Sequence, residues 1–250
     1  MVQFFPTLTE SHTEWCLSQP LFFTASAPLH GTHINISPKG LPTSTFTIFS
    51  PSQCGYIDAT GSGAETISHI YENGRVTIMF CSFGPSPRIM RLFCTGRVVE
   101  WDTSEFETLI QKIGKKRVDG ARAVIILDIW KVQTSCGYGV PKVAMKKVGN
   151  GDEEKAEDVF EDRDTLGHWA GKQVEKNEIG AYQMKNNAES LDGLPGLKSA
   201  RRDRGEWIPF VDARVWAKGV LVERGALTVG FLMGVVMVLL MQFLQRLLSV

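Results

Sequence analysis

Two runs in the first third of the sequence are the most informative: His33-Ile34-Asn35-Ile36-Ser37-Pro38-Lys39-Gly40 and Tyr56-Ile57-Asp58-Ala59-Thr60-Gly61-Ser62-Gly63-Ala64-Glu65-Thr66. The second run follows a strand pattern and leads into a helical pattern, and its two glycines let the backbone turn tightly. Backbone N–H groups exposed at such a helix start, together with the hydroxyls of Thr60 and Ser62, suit an anion such as phosphate. A well-capped helix with no ligand is the alternative interpretation of the same run.

Cationic side chains near these runs are suited to neutralise a bound phosphate. Lys39 follows a predicted strand and a proline turn, and Arg91 lies on the predicted strand Arg88–Trp101. Each of them can also be read as a solvated surface charge. Because the glycine-rich turn and these cations lie in one short region, a single phosphate-binding patch explains them together.

The sequence around these runs alternates between short strand patterns and turn signals, which is typical of a barrel or sandwich. The strand predicted over Thr32–Ile36 is expected to end at the turn Ser37-Pro38-Lys39-Gly40. The predicted strands are Leu21–Ser26, Thr32–Ile36, Ser44–Phe49, Gly55–Ala59, Arg75–Phe83, Arg88–Trp101 and Ala121–Val132. Two helices are predicted, Ser62–Asn73 with the capping box Ser62-x-x-Glu65, and Thr103–Ile113 after Asp102 as N-cap.

This order of motifs resembles the pyridoxamine 5′-phosphate oxidase-like family of flavoproteins, and the resemblance covers residues 15–145. The shared features include the helix end Glu72-Asn73-Gly74-Arg75-Val76 and the later Gly96-Arg97-Val98. The likeness is closest to a branch with the signatures His-x-Asn-x-Ser-Pro-Lys-Gly and Thr-Gly-Ser-Gly-x-Glu-Thr. The resemblance implies a mainly β fold, an FMN-binding split barrel with short helices, that forms a homodimer with FMN at the subunit interface.

The resemblance also implies where the flavin lies. It places the flavin along the strand His33–Ser37, with Lys39 near the ring or ribityl end and the phosphate beside Thr60 and Ser62. It places Arg91 on the neighbouring strand, facing the flavin. The candidate cofactor-binding residues are therefore His33, Asn35, Ser37, Lys39, Thr60, Ser62, Arg88 and Arg91.

The sequence departs from the oxidases of this family in one place. Where they carry a basic Arg-Lys pair after the serine of the turn, this sequence has Gly63 and Ala64. The phosphate would then rely on Arg91, Arg88 or backbone N–H groups. A pyridoxine vitamer is accordingly not implied as the substrate, and a deazaflavin or another ligand remains an alternative to FMN.

Two functions follow from the resemblance. The first is an FMN-dependent oxidoreductase that acts on a small-molecule substrate, in which the flavin carries the redox chemistry. The alternative is a non-catalytic scaffold or sensor that binds a flavin or another phosphate-bearing ligand at a membrane. A hydrolase would need a catalytic triad, and the sequence has no G-x-S-x-G nucleophile elbow. No catalytic residue is predicted.

The segment Gly225–Gln245 carries no charged residue. At about 1.5 Å per residue it reaches roughly 31 Å, which matches a hydrocarbon core of about 30 Å. A buried core helix or an in-plane amphipathic helix would need a polar face, which is missing here. We therefore predict one transmembrane helix over 225–246, after a split-barrel domain over 1–148 and an acidic linker and helical extension over 149–224.

The basic residues near this segment indicate its orientation. Six of them precede it and one, Arg246, follows it; the six are Arg201, Arg202, Arg204, Arg214, Lys218 and Arg224. The positive-inside tendency then predicts a single-pass, tail-anchored protein whose N-terminal domain is cytosolic. No signal in the sequence identifies the organelle.

Composition limits the other partners. The 27 basic residues balance the 27 acidic ones, and no basic arm stands out, so nucleic acid is not an expected partner. No pair of cysteines is spaced as C-x-x-C, so neither a metal ligand set nor a disulfide framework is predicted, and a reducing compartment fits best. The cysteines are Cys16, Cys54, Cys81, Cys94 and Cys136.

Overall fold

The computed structural model of the chain describes residues 2–29, 32–61, 63–113, 120–148, 155–161, 165–189, 195–222 and 224–248. The chain divides into two compact units, Met1–Leu166 and Gly167–Val250. The first unit contains β1 (Gln3–Phe5), α1 (Glu10–Leu17), β2 (Leu21–Ser26), β3 (Asn35–Gly40), α2 (Pro42–Thr45), β4 (Phe46–Ser50), β5 (Gln53–Ala59), α3 (Glu65–Asn73), β6 (Arg75–Cys81), β7 (Arg88–Glu100), α4 (Ser104–Ile113), β8 (Ala121–Cys136), β9 (Lys142–Val148) and β10 (Lys155–Glu161).

The main sheet of this unit is antiparallel, with the strand order β3-β2-β6-β7-β8-β5-β4 and β1 added to β8. Phe22 on β2 lies 5.1 Å from Phe46 and 5.6 Å from Tyr56, measured between ring centroids, although three strands separate β2 from β5 in the sheet. The sheet therefore curls on itself into a split β-barrel whose two free edges are β3 and β4. The fold class predicted from the sequence is confirmed.

The core has two parts because the sheet is covered on both faces near β8. Alternate residues of β2 point inward, and Phe22, Tyr56 and Phe80 fill the barrel with other apolar side chains. On the opposite face, helix α4 packs Phe106 and Leu109 against β5 and β8. This double burial explains why the middle of β8 is a continuous apolar run rather than an alternating one.

Several strand and helix boundaries differ from those predicted. The turn expected at Ser37–Gly40 is wrong, since β3 continues through Gly40; β3 is an edge strand, where a proline is tolerated. The strand expected from Ser44 begins only at Phe46, because Pro42 opens the short helix α2. Helix α1, which was not predicted, is capped by Thr9, whose hydroxyl accepts from the His12 N–H.

Helix α3 begins later than predicted. It starts at Glu65 with Ala64 as N-cap and no side-chain capping bond, so the predicted start at Ser62 is wrong; Ser62 itself lies outside the described residues. The flanking glycines are poor helix formers, which is consistent with the late start. The predicted end is confirmed, since Gly74 adopts φ 71° and its N–H donates to the Ile70 carbonyl.

The acidic composition of residues 149–164 predicts a solvated loop or linker, and this is wrong for residues 155–161, which form a strand. Strand β10 pairs with β9 in an antiparallel hairpin, with Lys155 opposite Val148 and Glu161 opposite Lys142.

The second unit is helical in its described residues. It contains α6 (Ile179–Asn186), α7 (Lys198–Asp203), α8 (Ile208–Val222), α9 (Arg224–Leu248) and most of α5 (Thr165–Glu175). Helices α5, α6, α7 and α8 lie within the segment 149–224, for which the sequence predicts an acidic linker and a helical extension. Within α9, Leu227–Gln245 has a mean hydropathy of 2.3 and no buried residue, and it is long and apolar enough to cross a membrane.

Candidate functional site

The inner face of the barrel becomes polar where β2 pairs with the edge strand β3. Side chains at paired positions of an antiparallel ladder point to the same face. The register pairs Phe22 with Lys39, Thr24 with Ser37, and Ser26 with Asn35. Three predicted cofactor residues, Asn35, Ser37 and Lys39, therefore share one face with the buried hydroxyls of β2.

A buried carboxylate joins this face to β5. The Lys39 Nζ lies 3.3 Å from Oδ1 of Asp58, and Arg122 Nε donates to Oδ2 of the same residue at 2.7 Å. The Asp58 side chain is 3% exposed, so two cations compensate one buried negative charge. The Lys39–Asp58 pair also bridges the gap between the free edge β3 and the other end of the sheet. The cluster keeps one excess positive charge, which suits an anionic ligand.

Two buried hydroxyls lie in the same part of the barrel. The hydroxyls of Tyr56 and Thr24 are fully buried and lie close to each other, and no other residue that the structure describes bonds to either of them. Burial, and then the negative charge of Asp58, raise the pKa of Tyr56, so its hydroxyl stays protonated. The Lys39 Nζ lies 5.9 Å from the centroid of the Tyr56 ring. Since buried hydroxyls are normally satisfied, this pair offers hydrogen-bonding capacity to a polar ligand.

Helix α3 is fixed to the polar face by two side-chain hydrogen bonds. Asn35 Nδ2 donates to Thr66 Oγ1 at 2.9 Å, and Ser26 Oγ lies 2.9 Å from His69 Nδ1. The Ser26–His69 pair has the composition of part of a hydrolase triad. However, both side chains are buried, and no carboxylate contacts His69 in the part of the chain that the structure describes. We therefore assign this pair to the packing of α3.

The turn after β5 is held by the start of β8. The Thr60 N–H and the Thr60 hydroxyl both donate to the Gly120 carbonyl, at 2.7 Å each. The hydroxyl proton of Thr60 is thus already used, while Ser62 lies outside the described residues. His33 is exposed just before β3, and its Nδ1 lies 3.4 Å from the hydroxyl of its neighbour Thr32.

The two candidate arginines lie on opposite faces of β7. Met90 and Leu92 point into the core, so Arg91 between them points outward. Arg91 is half-buried, and no hydrogen bond or ion pair to it occurs among the described residues. Arg88 shares the inward face with Met90, and its guanidinium lies 5.6 Å from the centroid of the Trp15 ring. One phosphate in a single chain cannot easily contact both arginines.

Arg91 lies on the outside of the sheet, on a surface that carries several apolar side chains. We call this surface the outer apolar face; it consists of Phe4, Phe23, Ile36, Met79, Phe93 and Trp130. Met79 is paired with Arg91, and Ile36 and Trp130 remain 65% and 55% exposed. Lys131 lies on the same face, with its Nζ 5.0 Å from the centroid of the Trp130 ring and 5.9 Å from that of the Phe4 ring. The face therefore combines exposed apolar side chains with two cations.

Sequence reasoning missed Asp58 and Arg122 as members of the site. A signal for Asp58 was present, because a carboxylate inside the apolar strand run of β5 is expected to be buried and paired. The partner cannot be found in this way, since Arg122 is 64 positions away along the chain.

Asp58→Asn is expected to lower the free energy of unfolding by about 1–3 kcal/mol, because it leaves two cations side by side without their shared anion. Thermal unfolding of the first unit in detergent, followed by near-ultraviolet circular dichroism, measures the change. Asp128→Asn is the matched control, since Asp128 is exposed on β8 and bonds only Gln53 among the described residues. Equal stability of the two variants would contradict a structural role for the cluster.

Known proteins similar to this chain point to one family. A family profile described as pyridoxamine 5′-phosphate oxidase matches residues 8–136. A curated Aspergillus flavus protein, described as pyridoxamine 5′-phosphate oxidase family protein ustO, is 51% identical over 214 residues, which covers 86% of this chain and 85% of that protein.

Solved structures were also compared with this chain. HupZ of Group A Streptococcus is 19% identical, with 50% of this chain and 91% of that chain covered and a TM-score of 0.41. The FAD binding protein from Mycobacterium smegmatis is 10% identical, with 52% and 97% covered and a TM-score of 0.37.

Proposed function

This chain belongs to the pyridoxamine 5′-phosphate oxidase family, and from that premise we propose that it is an FMN-dependent oxidoreductase acting on a small-molecule substrate. The observation that carries the proposal is the polar inner face at β2, β3 and β5. It combines a net positive charge at Lys39, Asp58 and Arg122 with two adjacent buried hydroxyls, those of Tyr56 and Thr24, that no further described residue bonds. This donor set fits a ligand that has both an anionic group and polar ring atoms.

We assign the binding roles within this proposal as follows. Asn35, Ser37 and Lys39 hold the cofactor from the strand β3. The Ser62 hydroxyl and the backbone N–H groups that lead into α3 donate to its phosphate, while Thr60, whose N–H and hydroxyl donate to Gly120, holds the turn in place. His33 borders the same strand. A bound flavin supplies two-electron redox chemistry, and the residues of this chain bind it, orient it and exclude water.

We further propose that two copies of the chain complete the site as a homodimer. Lys39 points to the inner face of the sheet and Arg91 to its outer face, so one ligand reaches both cations more readily when it lies between two chains. The outer apolar face around Arg91 supplies the apolar surface that such an interface needs. Arg88 packs on Trp15 and lies on the inward face of β7, and it remains a candidate to neutralise the phosphate from that side.

Ile36→Glu combined with Phe23→Glu is expected to shift the protein from dimer to monomer, because the two carboxylates would be buried without partners at the interface. Their cross-strand neighbours are uncharged, namely Ala25, Pro38 and Met79. Size-exclusion chromatography with light scattering in detergent measures the mass. Trp101→Glu is the control, since Trp101 is 61% exposed, which is close to the 65% of Ile36, and it lies outside the outer apolar face. A double variant with the mass of the wild type would contradict the proposed interface.

A non-catalytic flavin-binding scaffold is the second candidate function. It is favoured by Gly63 and Ala64, which replace a basic pair, and by the Thr60 hydroxyl, whose proton is used by Gly120. The experiment adds NADH or NADPH anaerobically to the flavin-loaded protein and follows the visible flavin band. Bleaching, followed by recovery with an oxidising substrate, supports the oxidoreductase. A band that neither nucleotide bleaches supports the scaffold.

We also propose that α9 tethers the protein to a membrane, with the flavin domain over 1–148 in the cytosol and the acidic linker and helical extension over 149–224 between them in the sequence. Two observations support the tether. The window Leu227–Gln245 is apolar and has no buried residue, and most nearby basic residues precede it.

A further inference from the structure

Two aromatic side chains at the start of α8 are exposed together. Trp207 is 71% exposed and Phe210 is 58% exposed. Their rings stack, with centroids 6.1 Å apart and planes inclined by 6°. Neither ring is used to pack the second unit, although aromatic rings of this size usually contribute to cores or interfaces.

The orientation of α8 about its own axis is fixed by a buried arginine on α7. Arg201 is 2% exposed, and its Nη1 donates to Asp212 Oδ1 while its Nε donates to Glu206 Oε2, at 2.9 Å each. Asp212 follows Phe210 by two positions, which corresponds to about 200° around a helix. The ion pair therefore turns Asp212 toward α7 and presents Phe210 on the opposite side.

The side of α8 that carries Phe210 also carries an exposed basic residue. Arg214 lies one helical turn after Phe210, at the i+4 position on the same side, and it is exposed. The exposed face of α8, which we define as Trp207, Phe210 and Arg214, thus combines two aromatic rings with a guanidinium group.

The chain itself keeps this face close to the proposed membrane. Helix α8 ends at Val222, α9 begins at Arg224, and the apolar window begins at Leu227. At about 1.5 Å per helical residue and at most about 3.6 Å for each of the two steps across residue 223, Phe210 lies within roughly 30 Å of the point where the chain would enter the hydrocarbon. The lipid headgroup layer is therefore the surface to which this face is continuously tethered.

We propose that the exposed face of α8 binds the headgroup region of the bilayer that α9 spans; this inference rests on the proposed membrane tether. Tryptophan and other aromatic rings concentrate at the boundary between hydrocarbon and water, and arginine pairs with lipid phosphates. Anionic lipids strengthen the contact because Arg214 is cationic. Bound in this way, α8 would restrict the tilt of the cytosolic part of the chain relative to the membrane.

The test uses the full-length chain in vesicles of phosphatidylcholine and phosphatidylserine. The emission of wild type minus that of Trp207→Phe isolates Trp207 from the other tryptophans. Lipids that carry a doxyl quencher near the headgroup are expected to quench this difference emission several-fold more than lipids that carry it near the acyl end. An unquenched difference spectrum at the wavelength of aqueous tryptophan would overturn the proposal.

A second variant separates failure of this inference from failure of the tether. In the Trp207→Phe background, Met233→Trp introduces a tryptophan in the middle of α9, which the deep quencher is expected to reach. If the deep quencher acts on this tryptophan but no quencher acts on Trp207, the tether stands and the interfacial role of α8 is wrong. If Trp207 emission is blue-shifted and unquenched, the face is covered by a second copy or another protein, which also overturns the proposal.

Discussion

Lys39→Met is expected to raise the dissociation constant for FMN by about 10- to 100-fold, since a charge-assisted hydrogen bond contributes about 1.5–3 kcal/mol. The Lys39 Nζ stands at the junction of the features that define the candidate site. It pairs with Asp58, lies over the Tyr56 ring, and shares the inner face of β3 with Ser37 and Asn35. Its removal leaves the Asp58–Arg122 pair without excess positive charge.

The measurement is a fluorescence titration of the apo-protein with FMN. Lys112→Met is the matched control, because Lys112 also lies over an aromatic ring, that of Phe49 at 5.1 Å, but on α4 and away from the polar inner face. The control is expected to bind FMN as the wild type does. Wild-type affinity in Lys39→Met would show that the ligand does not use the inner face.

The combination Val236→Arg with Leu240→Arg is expected to move the protein from the membrane pellet to the soluble fraction. The two positions lie one turn apart near the middle of Leu227–Gln245. An arginine at the centre of a membrane helix costs roughly 2.5–3.5 kcal/mol on insertion scales, so two of them oppose insertion strongly.

Carbonate extraction followed by centrifugation measures the distribution. Val236→Leu with Leu240→Val is the control, since it exchanges the same positions without adding charge, and it should remain in the pellet. If wild type and the arginine variant partition alike, α9 is not a membrane anchor, and the inference on α8 falls with it.

The sequence pattern predicted the strands of the barrel correctly where a single local feature, such as regular alternation, determines the strand. Strand β2 has the predicted bounds because its alternation is undisturbed by turn residues. Strand β3 was cut short in the prediction because Pro38 reads as a turn signal, and only its position at the sheet edge makes it acceptable. The β9–β10 hairpin was missed since acidic composition indicates a loop, whereas its basic pairing partners lie in another strand.

In the candidate site, too, residues that are close in sequence were predicted, whereas residues that meet only in the folded chain were not. The motif around Lys39 located the polar edge, because three residues at alternating positions share a face. Asp58 and Arg122 meet only after the sheet has curled, so their pairing cannot be read from spacing. The separation of Arg88 from Arg91, by contrast, follows from the alternation of a strand, since positions three apart point to opposite faces.

The proposed oxidoreductase function depends on FMN binding to the polar face of this split barrel. The most direct test purifies the full-length protein in mild detergent, records its visible absorption spectrum, releases any bound compound by heat and identifies it by mass spectrometry. We expect a yellow protein that releases FMN on heating. A colourless protein that cannot be reconstituted with FMN would contradict it.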